Sequence, residues 1–106
     1  MSISTRYRDL AAEAADLNAR LKQEAAEEGD RCVRQLAKAV AALEELREGV
    51  GEIPQMRLER ELTPVLLRAH NDIDRARLWL EEEDRGDWSA RLWGLQQTIY
   101  RLLNDL

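Results

Sequence analysis

Phenylalanine is absent from this chain, and cysteine and histidine occur once each. The lone Cys32 rules out an internal disulfide and fits a reducing compartment. The lone His70 leaves no set of three or four imidazole and thiolate ligands of the kind a zinc site uses. Apolar runs extend only a few residues, far short of the roughly 20 that a membrane-spanning helix needs. The opening stretch MSISTRYRDL has no apolar signal core. Basic residues are outnumbered, 16 Lys and Arg against 21 Asp and Glu, for a net charge of −5. Non-specific attraction to nucleic acid or to an anionic membrane is therefore not expected. The expectation is one cytoplasmic domain, residues 1–106, with no cofactor or metal.

What the chain does have is helix-forming sequence. Charged residues make up 35% and apolar ones 44%, a water-soluble helical composition with too many large aliphatics for a disordered chain. Arginine outnumbers lysine fourteen to two, a codon bias read as a GC-rich bacterial or phage genome. Ser4 or Thr5 can cap a first helix. Ile3, Tyr7, Leu10, Ala14, Leu17 and Leu21 then recur at 4-3-4-3-4, a heptad seam. A second seam runs through Val33, Leu36, Val40 and Leu43, one residue out of step with the first. The slip falls in EAAEEGD, residues 24 to 30, around Gly29. A helix ending in EAAEE would place negative charge at its negative pole, and a connection confined to Gly29 and Asp30 is very short. One long helix, about 4–48 and possibly broken near Gly29, is the favoured reading.

GVGEIP, residues 49 to 54, ends it, with Gly49 and Gly51 suited to a left-handed stop. A second long helix, about 54–84, carries Leu62, Leu66, Ala69, Ile73, Ala76 and Leu80 and is kinked near Pro64. In DRGD, Gly86 stops that helix and Asp87 caps the next. The last helix, about 88–105, carries Trp88, Leu92, Leu95, Ile99, Leu102 and Leu106. The expected fold is all-α, an elongated antiparallel helical bundle of three helices roughly 65, 45 and 27 Å long. Folded back at short turns, such helices leave the beginning of the first without an intrachain partner. Ile3, Tyr7, Leu10, Leu17 and Leu21 are then expected to mediate self-association as a homodimer.

Constellations for chemistry are sparse. His70 and Asp74 make an i, i+4 pair without further ligands, and no third group is evident to orient a Cys32–His70 pair. One enzyme alternative is a Mg²⁺-dependent all-α nucleotide pyrophosphohydrolase, in which acids on two helices hold the metal against phosphates. Glu44, Glu45 and Glu48 could supply one set and Glu81 to Asp84 the other, but the three-helix geometry separates them by about 40 Å, so only a dimer could unite them. A DNA-associated or DNA-mimicking regulator is a further alternative. Arg57, Arg68 and Arg75 share a stripe, yet Glu61 and Asp72 stand four residues after Arg57 and Arg68 to pair with them. No catalytic residue is assigned.

The aromatic residues carry the remaining signal. ARLW occurs twice, ending at Trp79 and Trp93. Trp93, Gln96, Tyr100 and Leu103 form a second stripe beside the core seam of the last helix, more apolar surface than one small core requires. Trp79 and Trp88 are expected to face each other near the hairpin tip. Trp79, Trp93, Tyr100 and Leu103, with Arg77 and Arg91 nearby, are the expected binding surface for a protein partner, since Trp, Tyr and Arg are the usual interface anchors. The functional expectation is a small interaction module, acting as a regulator, adaptor or inhibitor of a larger bacterial or phage assembly.

Overall fold

A computed structural model describes residues 2–25 and 29–106. Among these residues four helices follow in order: α1 (Ile3–Glu24), α2 (Arg31–Arg47), α3 (Leu58–Glu82) and α4 (Gly86–Asn104), with two 3₁₀ turns, Val50–Glu52 and Gln55–Arg57, before α3. No strand occurs among the described residues. Each helix packs antiparallel to the next and α4 returns to α1, an up-down-up-down bundle whose Cα extents are 44 × 22 × 21 Å.

The fourth helix exists because the expected long first helix is two. α1 begins at Ile3 behind Ser2, whose hydroxyl accepts from the Thr5 N–H at 3.2 Å, so the cap lies before Ser4. It ends at Glu24, Ala25 is extended, and Gly29 has φ +74°. Asp30 then caps α2, its carboxylate accepting from the N–H groups of Cys32 and Val33 at 2.8 and 3.1 Å. The middle of the expected register slip, residues 26–28, lies outside the described residues. Magnitudes account for the outcome. Acidic residues at a helix C-terminus cost about 0.3–1 kcal/mol. Turning the chain back buries both seams, at roughly 1.5–3 kcal/mol for each large aliphatic side chain.

The overhang disappears with the long helix. Tyr7, Leu10, Leu17 and Leu21 are buried in the chain's own core, and Ile3 is partly buried against it. The first seam is thus covered by α2 and α4, and the reason for assigning Ile3, Tyr7, Leu10, Leu17 and Leu21 to self-association falls away. Tyr7 donates its hydroxyl hydrogen to the Leu43 carbonyl across the core.

Helix ends also differ from expectation. α2 does not stop on a left-handed glycine: Gly49 has φ −91°. Its last carbonyls are met by Arg8 of α1, whose guanidinium donates to Arg47 O at 3.0 Å and Glu48 O at 3.1 Å. Gly51 admits that side chain, since a Cβ there would stand 3.2 Å from Arg8 Nη2. α3 runs unbroken through Pro64. It ends in a Schellman arrangement with Asp84, not Gly86, in the left-handed position at φ 60°. The Arg85 N–H reaches Leu80 O at 2.8 Å and the Asp84 N–H reaches Glu81 O at 3.1 Å. Gly86 is already the first residue of α4, and Asp87 sits in its first turn, where it favours the positive end of the dipole.

Candidate functional face

α3 and α4 run side by side in a constant register. His70 lies beside Tyr100 with ring centroids 4.8 Å apart. Gln96 Nε2 donates to Asp74 Oδ1 at 3.1 Å. The Arg77 guanidinium stands 5.4 Å from the Trp93 ring centroid, and Ser89 Oγ donates to Glu81 Oε1 at 2.8 Å. In each pair a step of three or four residues forward on α3 is matched by a step back on α4. Polar groups therefore form the floor of the seam between them, with two aromatic rings of α4 set against α3.

Gln96 occupies the centre of that floor. It is fully buried, and its amide nitrogen spends one hydrogen on Asp74 and faces His70 Nε2 at 3.2 Å with the other. An amide N–H₂ only donates, so this contact is a hydrogen bond when the imidazole accepts at Nε2. Asp74 also accepts from Arg77 Nη2 at 2.9 Å, and Arg77 Nη1 reaches Glu81 at 3.1 Å. Hydrogen bonds from Arg77 and Gln96 hold the Asp74 carboxyl below its usual range, against some desolvation. Two buried atoms here lack partners, Gln96 Oε1 and Arg77 Nε. The sequence carries a faint signal for this network: His70, Asp74, Arg77 and Glu81 recur at 4-3-4, a polar stripe next to an apolar one. Gln96 stands in the sequence only as a member of the second stripe, and nothing in its neighbours marks it as buried.

Above the floor lies apolar surface. Trp93 is 48% exposed and Tyr100 44%, and Leu103 is partly buried at their edge. Leu67 and Leu78 add 47% and 46% exposed leucines on the same side of α3. Sequence reasoning misses both because they fall outside the heptad seam; Leu67 stands seven residues before Asp74 and Leu78 four after it, which places all three on one helical stripe. Arg77 thus lies against Trp93, Tyr100 stands seven residues further along α4, and Leu103 packs against the core.

Trp79 and Arg91 are not part of this face. Trp79 is partly buried with Arg31 of α2 stacked 4.8 Å from its centroid. Arg91 stacks on Trp88, 4.6 Å from the ring centroid, and Trp88 in turn donates its indole N–H to Glu24 of α1 at 2.7 Å. Trp79 and Trp88 therefore turn to opposite neighbours and do not face each other. Each ARLW arginine and tryptophan follows its own helix, so the repeat has no common structural role.

The other constellations stay apart. Glu45 lies 3.5 Å from Arg68, thirteen residues before Glu81, so the two acid sets are roughly 20 Å apart by helical rise, nearer than the three-helix geometry implies. Among the described residues no group of three His, Cys, Asp or Glu could hold a metal ion. Arg57 pairs with Glu61 at 2.8 Å, but Arg68 pairs with Glu45, leaving Asp72 to accept from Gln35 at 3.2 Å. Burial pushes the Cys32 thiol up to about 11, with the Glu83 and Asp30 carboxylates adding to it; such a thiol is no nucleophile near neutrality. No helix among the described residues is long and apolar enough to cross a membrane. No family model matches this chain, and neither a curated protein nor a solved structure does.

Proposed function

We propose that the chain is a small protein-interaction module, a regulator, adaptor or inhibitor of a larger assembly, which binds through the α3–α4 face. One observation carries the reading: two aromatic and two aliphatic side chains, Trp93, Tyr100, Leu67 and Leu78, stand about half exposed on one side of two adjacent helices. Holding large apolar groups in water forgoes roughly 25 cal/mol for each Å² that burial would remove. Exposed apolar side chains with aromatic anchors and an arginine among polar groups are how interfaces are built. The hydrogen-bonded floor of Gln96, Asp74 and Arg77 supports it, since a preorganised surface loses less entropy on binding.

The test is a capture experiment from a lysate of the source organism. Wild type and an Ala41→Arg control, on the exposed outer side of α2, should retain the same protein, and Trp93→Ala and Tyr100→Ala should lose it while keeping wild-type helicity. Equal capture by all four proteins would refute the reading. So would a thermal stabilisation by Mg²⁺ with a nucleoside triphosphate, which an enzyme should show and an interaction module should not.

A further inference from the structure

We propose that the α3–α4 face pairs with the same face of a second copy, about a twofold axis that crosses both helices at the level of Ile73 and Gln97. The inference rests on the reading of this face as a binding surface and names its first partner. It replaces the first-helix seam, now buried, as the route to a dimer.

The first argument is symmetry. On α4, Trp93 and Tyr100 are centred on Gln96 and Gln97; on α3, Leu67 and Leu78 are centred on Asp72 and Ile73. The register defined by His70 with Tyr100, Asp74 with Gln96 and Arg77 with Trp93 puts these two midpoints within about one residue's rise of the same height along the bundle. The face thus has an apolar end made of Leu67 and Tyr100 and another made of Leu78 and Trp93, at equal distances from a polar middle. A half-turn about an axis lying across the helices exchanges the two ends. It sets Trp93 of one copy on Tyr100 of the other, and Leu67 on Leu78, each twice. That self-complementarity is what an isologous contact demands.

The second argument is charge. Two copies at −5 each repel, so the contact must add as little like charge as it can. In a chain that is 35% charged, Leu67, Asn71, Leu78, Trp93, Gln97 and Tyr100 are all neutral. The charged groups in the groove, Asp74, Arg77 and Glu81, are tied to one another. Residues nearest a twofold axis meet their own kind. Asn71, Gln97 and Asp74 stand there; the Asp74 charge is met within its own chain by Arg77 at 2.9 Å, and an amide both donates and accepts, so the like amide pairs can bond.

Two measurements test this. Sedimentation equilibrium of the wild type should give twice 12.2 kDa at concentrations up to about 100 μM, enough to detect a Kd in the tens of micromolar. Trp93→Glu should weaken the association by about tenfold or more, as loss of an interface anchor does. Independently of how that variant folds, Gln97→Cys in a Cys32→Ala background should oxidise to a covalent dimer, because position 97 meets itself, whereas Ala41→Cys in the same background should remain monomeric. A monomer throughout, or equal cross-linking at positions 97 and 41, overturns the proposal. A wild-type monomer that still captures a different protein through Trp93 overturns self-pairing alone and leaves the interaction module standing. A dimer whose capture of other proteins ignores Trp93 and Tyr100 does the reverse.

Discussion

Trp88 and Trp93 stand five residues apart on α4 and meet opposite surroundings: Trp88 is 2% exposed and bonded to Glu24, whereas Trp93 is 48% exposed beside Arg77. Trp88→Ala should lower folding stability by about 3–5 kcal/mol, the range for deleting a buried large aromatic, and should leave the Glu24 carboxylate without its donor. In a domain with about 5–15 kcal/mol in total this approaches unfolding. Trp93→Ala should cost clearly less, about 1 kcal/mol, from partial burial alone. Urea denaturation of both variants checks the pair. Equal losses would make the α3–α4 face part of the core.

Two glycines should respond in opposite directions to alanine. Gly29 has φ +74°, and a methyl group there would meet nothing within 4 Å, so the cost of Gly29→Ala is backbone strain alone, about 1 kcal/mol. Gly94 lies inside α4 with nothing near a Cβ, so Gly94→Ala should stabilise by up to about 1 kcal/mol through helix propensity. Thermal melts of the two single variants decide it; a Gly29→Ala gain would mean that the chain turns elsewhere.

The first seam gives a third prediction. Leu10 and Leu21 are fully buried, so Leu10→Ala and Leu21→Ala should each cost about 2–5 kcal/mol. The variants' loss should be the same at low and high protein concentration, since these side chains pack within one chain. A penalty that grows on dilution would assign the seam to an intermolecular contact.

Alkaline pH should unfold the protein through two core residues. Burial raises Cys32 from 9.0 to about 11, and burial with the Glu45 and Glu44 carboxylates raises Tyr7 well above its ordinary 10.0. A group whose folded pKa lies above its unfolded one contributes stability that is complete below the unfolded value and lost as pH rises through the folded one. Stability should therefore hold up to about pH 9 and fall above it. Cys32→Ala should flatten the decline between about 9 and 11, and Tyr7→Phe the part beyond 10. Urea midpoints from pH 7 to 11 measure both; a decline unchanged in either variant would place its cause elsewhere.

Much of the core was legible in order along the chain. Tyr7, Leu10, Leu36, Leu62, Leu80, Leu92 and Ile99 are heptad positions, and all are buried. What misled was the end of each helix. Gly49, Gly51 and Gly86 carry turn chemistry in their letters, but among the described residues the left-handed ones are Gly29 and Asp84. A cap depends on which side chain arrives from elsewhere, as Arg8 does at α2, and that neighbour is not adjacent in sequence. The same holds for the candidate face. Trp93 and Tyr100 announce themselves as surplus aromatics, whereas Leu67 and Leu78 are recognisable only once α4 is seen to leave that side of α3 uncovered.

By itself the sequence determined the class of structure and the inward face of α1, α3 and α4, because a repeat of three and four residues is a local property; on α2 the buried face turns toward Cys32, Gln35 and Ala39, and Val33 and Val40 are only partly buried. Only the tertiary structure decided that there are four helices. Local terms at residues 24 to 30, a dipole and one glycine, are worth about 1 kcal/mol each, and they opposed or tolerated a break there without compelling either. The choice fell to the burial of one seam against the other, a gain several times larger that exists only when segments distant in sequence come together. That folding back removed the overhang from α1 and left α3 and α4 with the exposed apolar face.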